Sequence, residues 1–334
     1  MRWFMLAMAV LGAALLVVII QRTDMTEVWA LLARVGWAGS CLILALYLGG
    51  FFIEAAAWLV TLTAAPLTAS WVYRLWKLLM VGTAFEYTVP AGGLGGEPVK
   101  AILLKQSYGI AYPDSAVSLV LQKTTDVTGQ LVFIAAGLAF ITGADVLTPR
   151  YQTLAASGLL LLTTGVILFF LAQRHQGASR LGRALERGLL KGTGAAVYVR
   201  SALDALVDVE RRLIRFYRES PDRFAGSVGL NLLNWFSNGL VVWAALYFLG
   251  RPSPLSDAII IEAFVILVRS SLFFVPGYIG TQEAAYVLIC GSITGSAEIG
   301  LALATIRRAR DLLWIAWGLL IASTYSLYLK PRTT

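Results

Sequence analysis

Six apolar stretches, at about 3–21, 36–62, 113–141, 151–172, 225–249 and 300–328, set what this chain can fold into. Each is close to the ~20 helical residues that cross a ~30 Å hydrocarbon core. Two weaker apolar stretches, 72–106 and 256–294, are interrupted by Pro and Gly. Of the 334 residues, 58% are hydrophobic and only 14% charged, where soluble domains run at ~45–50% and ~25%. Strand-like alternation is absent, which excludes an outer-membrane barrel. The expected fold is an all-α polytopic membrane protein with about six full spans and two broken hairpins. The apolar run at 1–20 is long and lacks a small-x-small cleavage site, so a retained anchor is expected.

The charges are uneven. Between Gln173 and Arg223 there are eleven Lys/Arg and six Asp/Glu. A polybasic stretch flanked by spans reads as a cytoplasmic loop facing anionic lipid and not as a nucleic-acid site. Its segment VRSALDALVDVERRLIRFYRE has apolar residues at helical spacing and predicts an amphipathic helix, on the membrane or under the bundle. Cys41 and Cys290 fall in apolar segments and read as small core residues without a disulfide. The single histidine, His175, lies in the basic loop, so no histidine metal cluster and no cofactor are expected.

One broken stretch occurs twice. Residues 89–98 read VPAGGLGGEP and residues 275–284 read VPGYIGTQEA. Pro90 and Pro276 are offset by 186, as are Glu97 and Glu283. The spans at 36–62 and 225–249 precede the two copies, and Lys123-x-x-Asp126 and Arg308-x-x-Asp311 follow them at an offset of 185. This is an internal repeat. With 173–223 fixed inside, the first hairpin opens and closes on the cytoplasmic side, near Arg74, Lys77, Lys100 and Lys105. The second opens outside, where 281–298 holds Glu283 and Glu298 and no Lys or Arg. Both termini fall inside. The chain is then one transmembrane domain, 1–334: a first inverted repeat over 36–172, a basic cytoplasmic linker over 173–223 and a second repeat over 224–328. Inverted repeats with broken helices are a transporter signature.

Irregular backbone survives at membrane depth only when protein or a water-filled cavity surrounds it. Pro90, Gly92, Gly93, Gly95 and Gly96 break the first hairpin, and Pro276, Gly277 and Gly280 the second. Glu97 and Glu283 then stand near the start of the returning helices, where the helix dipole favours a carboxylate. They could be caps and nothing more. No Gly-Lys-Ser/Thr follows the glycines, so this is not a phosphate loop. Ionisable residues within spans are costly and commonly functional. Glu54, Lys123 and Asp126 lie inside spans, Glu262 and Arg269 are seven apart, and Arg307, Arg310 and Asp311 share a helical face. Asn231, Asn234 and Asn238 form another polar stripe. These charges either tie helices together or line a polar cavity between the halves, able to take an anionic head group. HExxH, GxSxG and Walker motifs are absent.

The segments GGEPVKAILL and VPGYIGTQEA, with an Arg in the last span, resemble the membrane region of lysylphosphatidylglycerol synthases, over roughly 10–328. Stand-alone relatives of that region are flippase-like membrane proteins. SLVLQKTTD after the first motif is similar to the branch found in hopanoid-biosynthesis loci. The resemblance carries Gly96, Glu97 and Lys100 to the first re-entrant segment. It carries Pro276, Gly277, Gly280 and Glu283 to the second, and Arg310 to the basic position of the last span. Gln122 and Lys123 stand where relatives carry Glu-Arg. The bifunctional synthases add a soluble aminoacyl-transfer domain after the membrane part. The sequence stops at Thr334, so the resemblance implies translocation of an amphipathic lipid across a bacterial inner membrane and not lipid aminoacylation. The lipid is the expected partner, lipid-biosynthesis enzymes are candidate partners, and a membrane enzyme or a scaffold is the competing class.

The topology is testable with single Cys probes. A probe near Lys105 is expected to label from the cytoplasm and one near Ser296 from outside. Labelling of both from one side overturns the inverted arrangement.

Overall fold

Backbone in lipid must close its hydrogen bonds on itself, and the described chain is helical throughout. The computed structural model describes residues 2–88, 95–144, 149–174, 195–272 and 275–325. The helices are α1 (Arg2–Arg22), α2 (Met25–Thr61), α3 (Ala69–Thr88), α4 (Glu97–Tyr108), α5 (Tyr112–Ala144), α6 (Pro149–Arg174), α7 (Ala195–Glu219), α8 (Pro221–Phe248), α9 (Leu255–Ser271), α10 (Thr281–Thr294) and α11 (Ala297–Thr324). A single 3₁₀ turn, Pro276–Tyr278, joins α9 to α10. No strand occurs among the described residues. Pro90, Gly92, Gly93 and His175 lie outside them, as do 175–194 of the basic loop and Lys330 and Arg332.

Among the described residues, α2 alone is by length and composition long and apolar enough to cross a membrane, with shorter apolar helices at Val10–Arg22 and Ala156–Leu171. The span expected from residue 36 begins at a real discontinuity: α2 kinks at Gly36 (φ 57°, ψ −172°). The distribution of polarity is inside-out. Leu160, Leu161, Leu312, Leu320 and Trp37 face outward, whereas Lys100, Glu262, Gln282, Glu283, Arg307 and Asp311 are buried. Cys290 is buried but Cys41 is exposed, which corrects the reading of both as core. Cys41 points away from the bundle, where an apolar thiol suits the same surroundings as the outward leucines.

Helix pairs are fixed by small residues and hydrogen bonds, which drive association where lipid is as apolar as the side chains. The central pair is α2 with α8. Gly39 lies beside Phe248, Gly50 beside Asn234 and Ser237, and Val60 beside Gly226. Ser227 Oγ donates to the Ala57 carbonyl at 3.0 Å. As numbers rise on α2 they fall on α8, so the two run antiparallel. Thr125 of α5 locks the same seam, accepting from Ser227 at 2.9 Å and Asn231 at 3.1 Å. α3 packs on α11 and α9 packs on α5. Gln130 Nε2 of α5 donates to Ser270 Oγ of α9 at 2.6 Å.

The amphipathic segment forms α7. Leu213 and Phe216 pack on Leu121 of α5. Arg212 reaches Asp208 at 2.8 Å and Asp114 of α5 at 2.6 Å. The Asp208 hydrogen bond leads the interactions that hold the Arg212 guanidinium above its ordinary value.

Gly96, ahead of α4, is in van der Waals contact with the backbone of Gly82 on α3, and a Cβ there would collide with the Gly82 carbonyl. Gly49 has open space. Gly96→Ala is therefore expected to destabilise the detergent-solubilised protein by about 1–3 kcal/mol, and Gly49→Ala to leave its thermal unfolding nearly unchanged.

Candidate functional site

The polar interior divides into closed ion pairs and open groups. Glu97 begins α4, and Lys100 follows one turn later with Nζ 2.7 Å from Glu97 Oε1. Lys100 is buried, its stem lies against Gly82 and its ammonium sits 5.5 Å above the Trp58 ring. On α5 the Lys123 ammonium is 3.6 Å from Asp126, a looser pair. Asp126 also accepts from Trp235 Nε1 at 3.2 Å, and Gln122 donates to Glu54 at 3.3 Å. Glu54, Glu86, Glu97, Lys100, Lys123 and Asp126 stand within electrostatic reach of one another. Lys123 lies eleven residues into α5 with its side chain 48% accessible, and Glu86, two residues before the end of α3, is exposed.

The second half holds three arrangements. Glu262, fully buried on α9, accepts from Arg307 Nη1 of α11 at 2.7 and 2.8 Å. Tyr286 of α10 closes the triangle, its hydroxyl 2.8 Å from Arg307 Nη1 and donating to Glu262 at 3.1 Å. Glu283 pairs with Arg308 at 2.7 Å, and Arg308 Nη1 also donates to the Gly277 carbonyl at 2.7 Å. Glu283 accepts in addition from the Gly280 amide at 2.8 Å. Gly277 (φ 61°), Tyr278 (φ 54°) and Gly280 (φ 76°) take left-handed backbone, and Arg308 pins this loop. Arg269 lies 4.5 Å over the Tyr278 ring. The third arrangement is open. Arg310 rests 4.4 Å over the Tyr47 ring, with Nη2 3.0 Å from Asp311 Oδ1. Arg310 Nε and both Asp311 oxygens are buried without a hydrogen-bond partner.

Of the residues singled out in the sequence, Glu97, Lys100, Lys123 and Asp126 come together, and Arg310 and Asp311 form a second group. Glu86, Tyr87 and Arg269 stand between them: Tyr87 is within reach of Arg269, Arg310 and Asp311, and Glu86 of Arg269 and Lys123. Glu262 and Arg269, expected on one face, have separate partners. Glu283 is held by Arg308 and not by Arg310. Residues outside the expected site are Tyr47, Glu86, Tyr87, Tyr286 and Arg308; Arg307, expected among the in-span charges, ties helices together. The repeat did point to Arg308, which stands at the 185-residue offset from Lys123. The tyrosines carried no signal, since a Tyr in an apolar run reads as core.

Chemically the site offers charges of both signs, some closed in pairs and some accessible. Among the described residues no group of three or more His, Cys, Asp or Glu could hold a metal. Removing one partner of a buried pair strands the other, at about 3–5 kcal/mol. Arg307→Ala is therefore expected to cut thermal stability by that order, and Arg310→Gln, whose amide leaves a donor beside Asp311, to cost less. Equal losses in unfolding scans would reverse the assignment of Arg307 as structural and Arg310 as open.

No curated protein and no solved structure matches the chain. The family model described as the lysylphosphatidylglycerol synthase TM region matches residues 4–318. With that match over nearly its whole length, the chain belongs to the lysylphosphatidylglycerol synthase TM region family, a membrane protein family associated with lipid handling.

Proposed function

We propose that the chain moves an amphipathic lipid, a hopanoid or a lipid with an anionic head group, between the leaflets of the bacterial inner membrane. The observation that carries this reading is the accessibility of Lys123, eleven residues into α5, and of the neighbouring Glu86, in a bundle whose outer face is apolar. A head group crossing ~30 Å of hydrocarbon needs such an internal polar route, because each unsatisfied polar group there costs several kcal/mol.

An inverted repeat supports alternating access to that route. Helix starts recur at matching offsets: α3 to α9 by 186, from residue 69 to 255, and α5 to α11 by 185, from 112 to 297. Gly109 and Gly295, 186 apart, end the returning helices α4 and α10 with left-handed caps. Contacts α3–α11 and α5–α9 exchange under the same shift, and α2 and α8 correspond and run antiparallel. In this arrangement the two broken hairpins enter from opposite faces, with Glu97 from the cytoplasm and Glu283 from outside. Both termini are cytoplasmic. Lipid-biosynthesis enzymes are the partners that would supply such a lipid.

The test is the full chain in phospholipid vesicles carrying a fluorescent lipid, with outer-leaflet label quenched chemically. Wild type should expose inner-leaflet label over time. Arg310→Gln should abolish exchange and Glu97→Gln should slow it at least about tenfold, with size-exclusion profiles unchanged. A chemically altered lipid would indicate an enzyme, and indifference to both variants a scaffold.

A further inference from the structure

The carboxylates inside the bundle are not equally satisfied. Glu54 accepts from Gln122, Asp126 from Trp235, Glu97 from Lys100, Glu262 from Arg307 and Tyr286, and Glu283 from Arg308 and the Gly280 amide. Asp311 is 4% exposed, and neither of its oxygens accepts a hydrogen bond. Arg310 Nη2 stands 3.0 Å from Oδ1, but its direction makes an ion-pair contact and not a hydrogen bond.

Other polar atoms of the same region are unmatched. Arg307 Nε and Arg310 Nε are buried on one face of α11 without partners. Gln282 is fully buried on α10, and neither its amide oxygen nor its amide nitrogen has a partner. It stands one turn before Tyr286 on the same side of α10, as Asp311 stands one turn after Arg307 on α11. Gly300 packs on Tyr286 while Arg308 reaches back to Glu283, so α10 and α11 run antiparallel. Both steps therefore lead the same way from the Tyr286–Arg307 contact. Arg307 Nε, Arg310 Nε and Gln282 Nε2 donate; Gln282 Oε1 and the two Asp311 oxygens accept. What meets both kinds in a packed interior is small and carries donors and acceptors together, which describes water.

Charge narrows what else binds there. Glu262, Arg307, Arg310 and Asp311 all stand within electrostatic reach of Tyr47, two charges of each sign. A metal cation would meet two guanidiniums and one free carboxylate, and no metal-ligating group of three or more His, Cys, Asp or Glu occurs among the described residues. A proton needs a single oxygen. The groups facing Asp311 are Tyr47 of α2, Tyr87 of α3, and Arg307 and Arg310 of its own helix. Glu262 of α9 and Tyr286 of α10 stand behind Arg307. α8 carries no Asp, Glu, Lys, Arg or His between 224 and 248.

We propose that Asp311 is the proton-binding residue that couples lipid movement to the pH difference across the membrane, reached through water held between α10 and α11. The proposal rests on the translocation reading and adds its driving ion. A hydronium gives one proton to an Asp311 oxygen and leaves as water, with no other bond changed. With Asp311 ionised, Arg310 is balanced by its neighbour. With Asp311 neutral, two guanidiniums face the one remaining carboxylate, Glu262, and the Arg310 donors are free for a head group. Proton and head group therefore occupy the site together and leave it together.

Two readouts separate the proton from the transport. The first takes the full chain in phosphatidylcholine vesicles and records infrared difference spectra between neutral and acid pH. Wild type should show the carbonyl stretch of a newly protonated carboxyl, and Asp311→Asn should lack it. Asp311→Glu should keep the band with a displaced midpoint, which decides the matter if the Asn variant fails to fold. Gln282→Leu should keep the band and slow its shift in heavy water severalfold; a shift as fast as in wild type overturns the water route. A band that survives Asp311→Asn, or one absent from both wild type and Asp311→Glu, overturns the proposal. The second readout adds fluorescent phosphatidylglycerol and a pH difference of about one unit. For one proton per lipid, that difference should hold up to about a tenfold excess of label in the leaflet on the alkaline side, above the level in protein-free vesicles, and Asp311→Asn should hold none. Leaflet exchange that ignores the pH difference overturns the proposal and leaves the transport reading. A titrating Asp311 in a chain that exchanges no lipid overturns the transport reading while the proton site stands.

Discussion

A guanidinium in a low-dielectric interior must be paired, and the way Arg307 is paired decides how the second half of the molecule is built. Its Nη1 is shared between both oxygens of Glu262 and the Tyr286 hydroxyl, so one group ties α9, α10 and α11 together. Such a pair is a poor source of net stability compared with well-packed apolar side chains, but breaking it is costly. What it supplies is a fixed mutual position. Arg308, the next residue, then faces the loop between α9 and α10, and Arg310 and Asp311, three and four residues on, face Tyr47 and Tyr87. The Tyr278 turn can hold its left-handed backbone because Arg308 fastens it to Glu283 on one side and the Gly277 carbonyl on the other.

The first half reaches a related result with weaker means. Where α11 has Arg307, α5 has Gln122 at the 185-residue offset, and it meets Glu54 by a single 3.3 Å bond. Where α10 has Tyr286, α4 has Lys100 at the 186-residue offset, turned back onto Glu97. The shape of the α2–α3–α4–α5 half therefore depends more on close backbone approach, as at Gly96 and Gly82, and on the hydroxyl-and-amide seam of Ser227, Thr125 and Asn231. Two halves with a similar helix order need not share stiffness.

Much of the helix order was legible in the sequence, because apolar run length and Pro/Gly interruptions act locally. Gly96, read as a break, caps the start of α4, and the span expected from residue 36 begins at the Gly36 kink. The site was legible only in part. Helical spacing says which residues share a face and not which helix that face meets, so Glu262 and Arg269 looked like neighbours and are not partners. Arg310 carried the family motif, yet the partner of Glu283 is Arg308. Tyr47, Tyr87 and Tyr286 could not be read as polar anchors, since only the arrival of charges from other helices makes them so. Cys41 was misplaced because an apolar stretch in a membrane bundle has two apolar sides, core and lipid.

The charges in and around the broken apolar stretches are of two kinds. Glu97 with Lys100, Glu262 with Arg307 and Glu283 with Arg308 are at 2.7 Å; they hold backbone where helix geometry fails or where helices must meet. Lys123 at 3.6 Å from Asp126, Glu86 at the end of α3, and Arg310, held by the adjacent Asp311 and the Tyr47 ring, are loosely held. A closed pair has already exchanged its hydration for a protein partner and gains little from a ligand. A loosely held charge has given up part of its hydration without full replacement, so an arriving head group recovers what folding left unmet. Binding at the open groups can therefore be reversible without disturbing the closed ones, which is the condition for a bundle to pass a polar group through itself and remain folded.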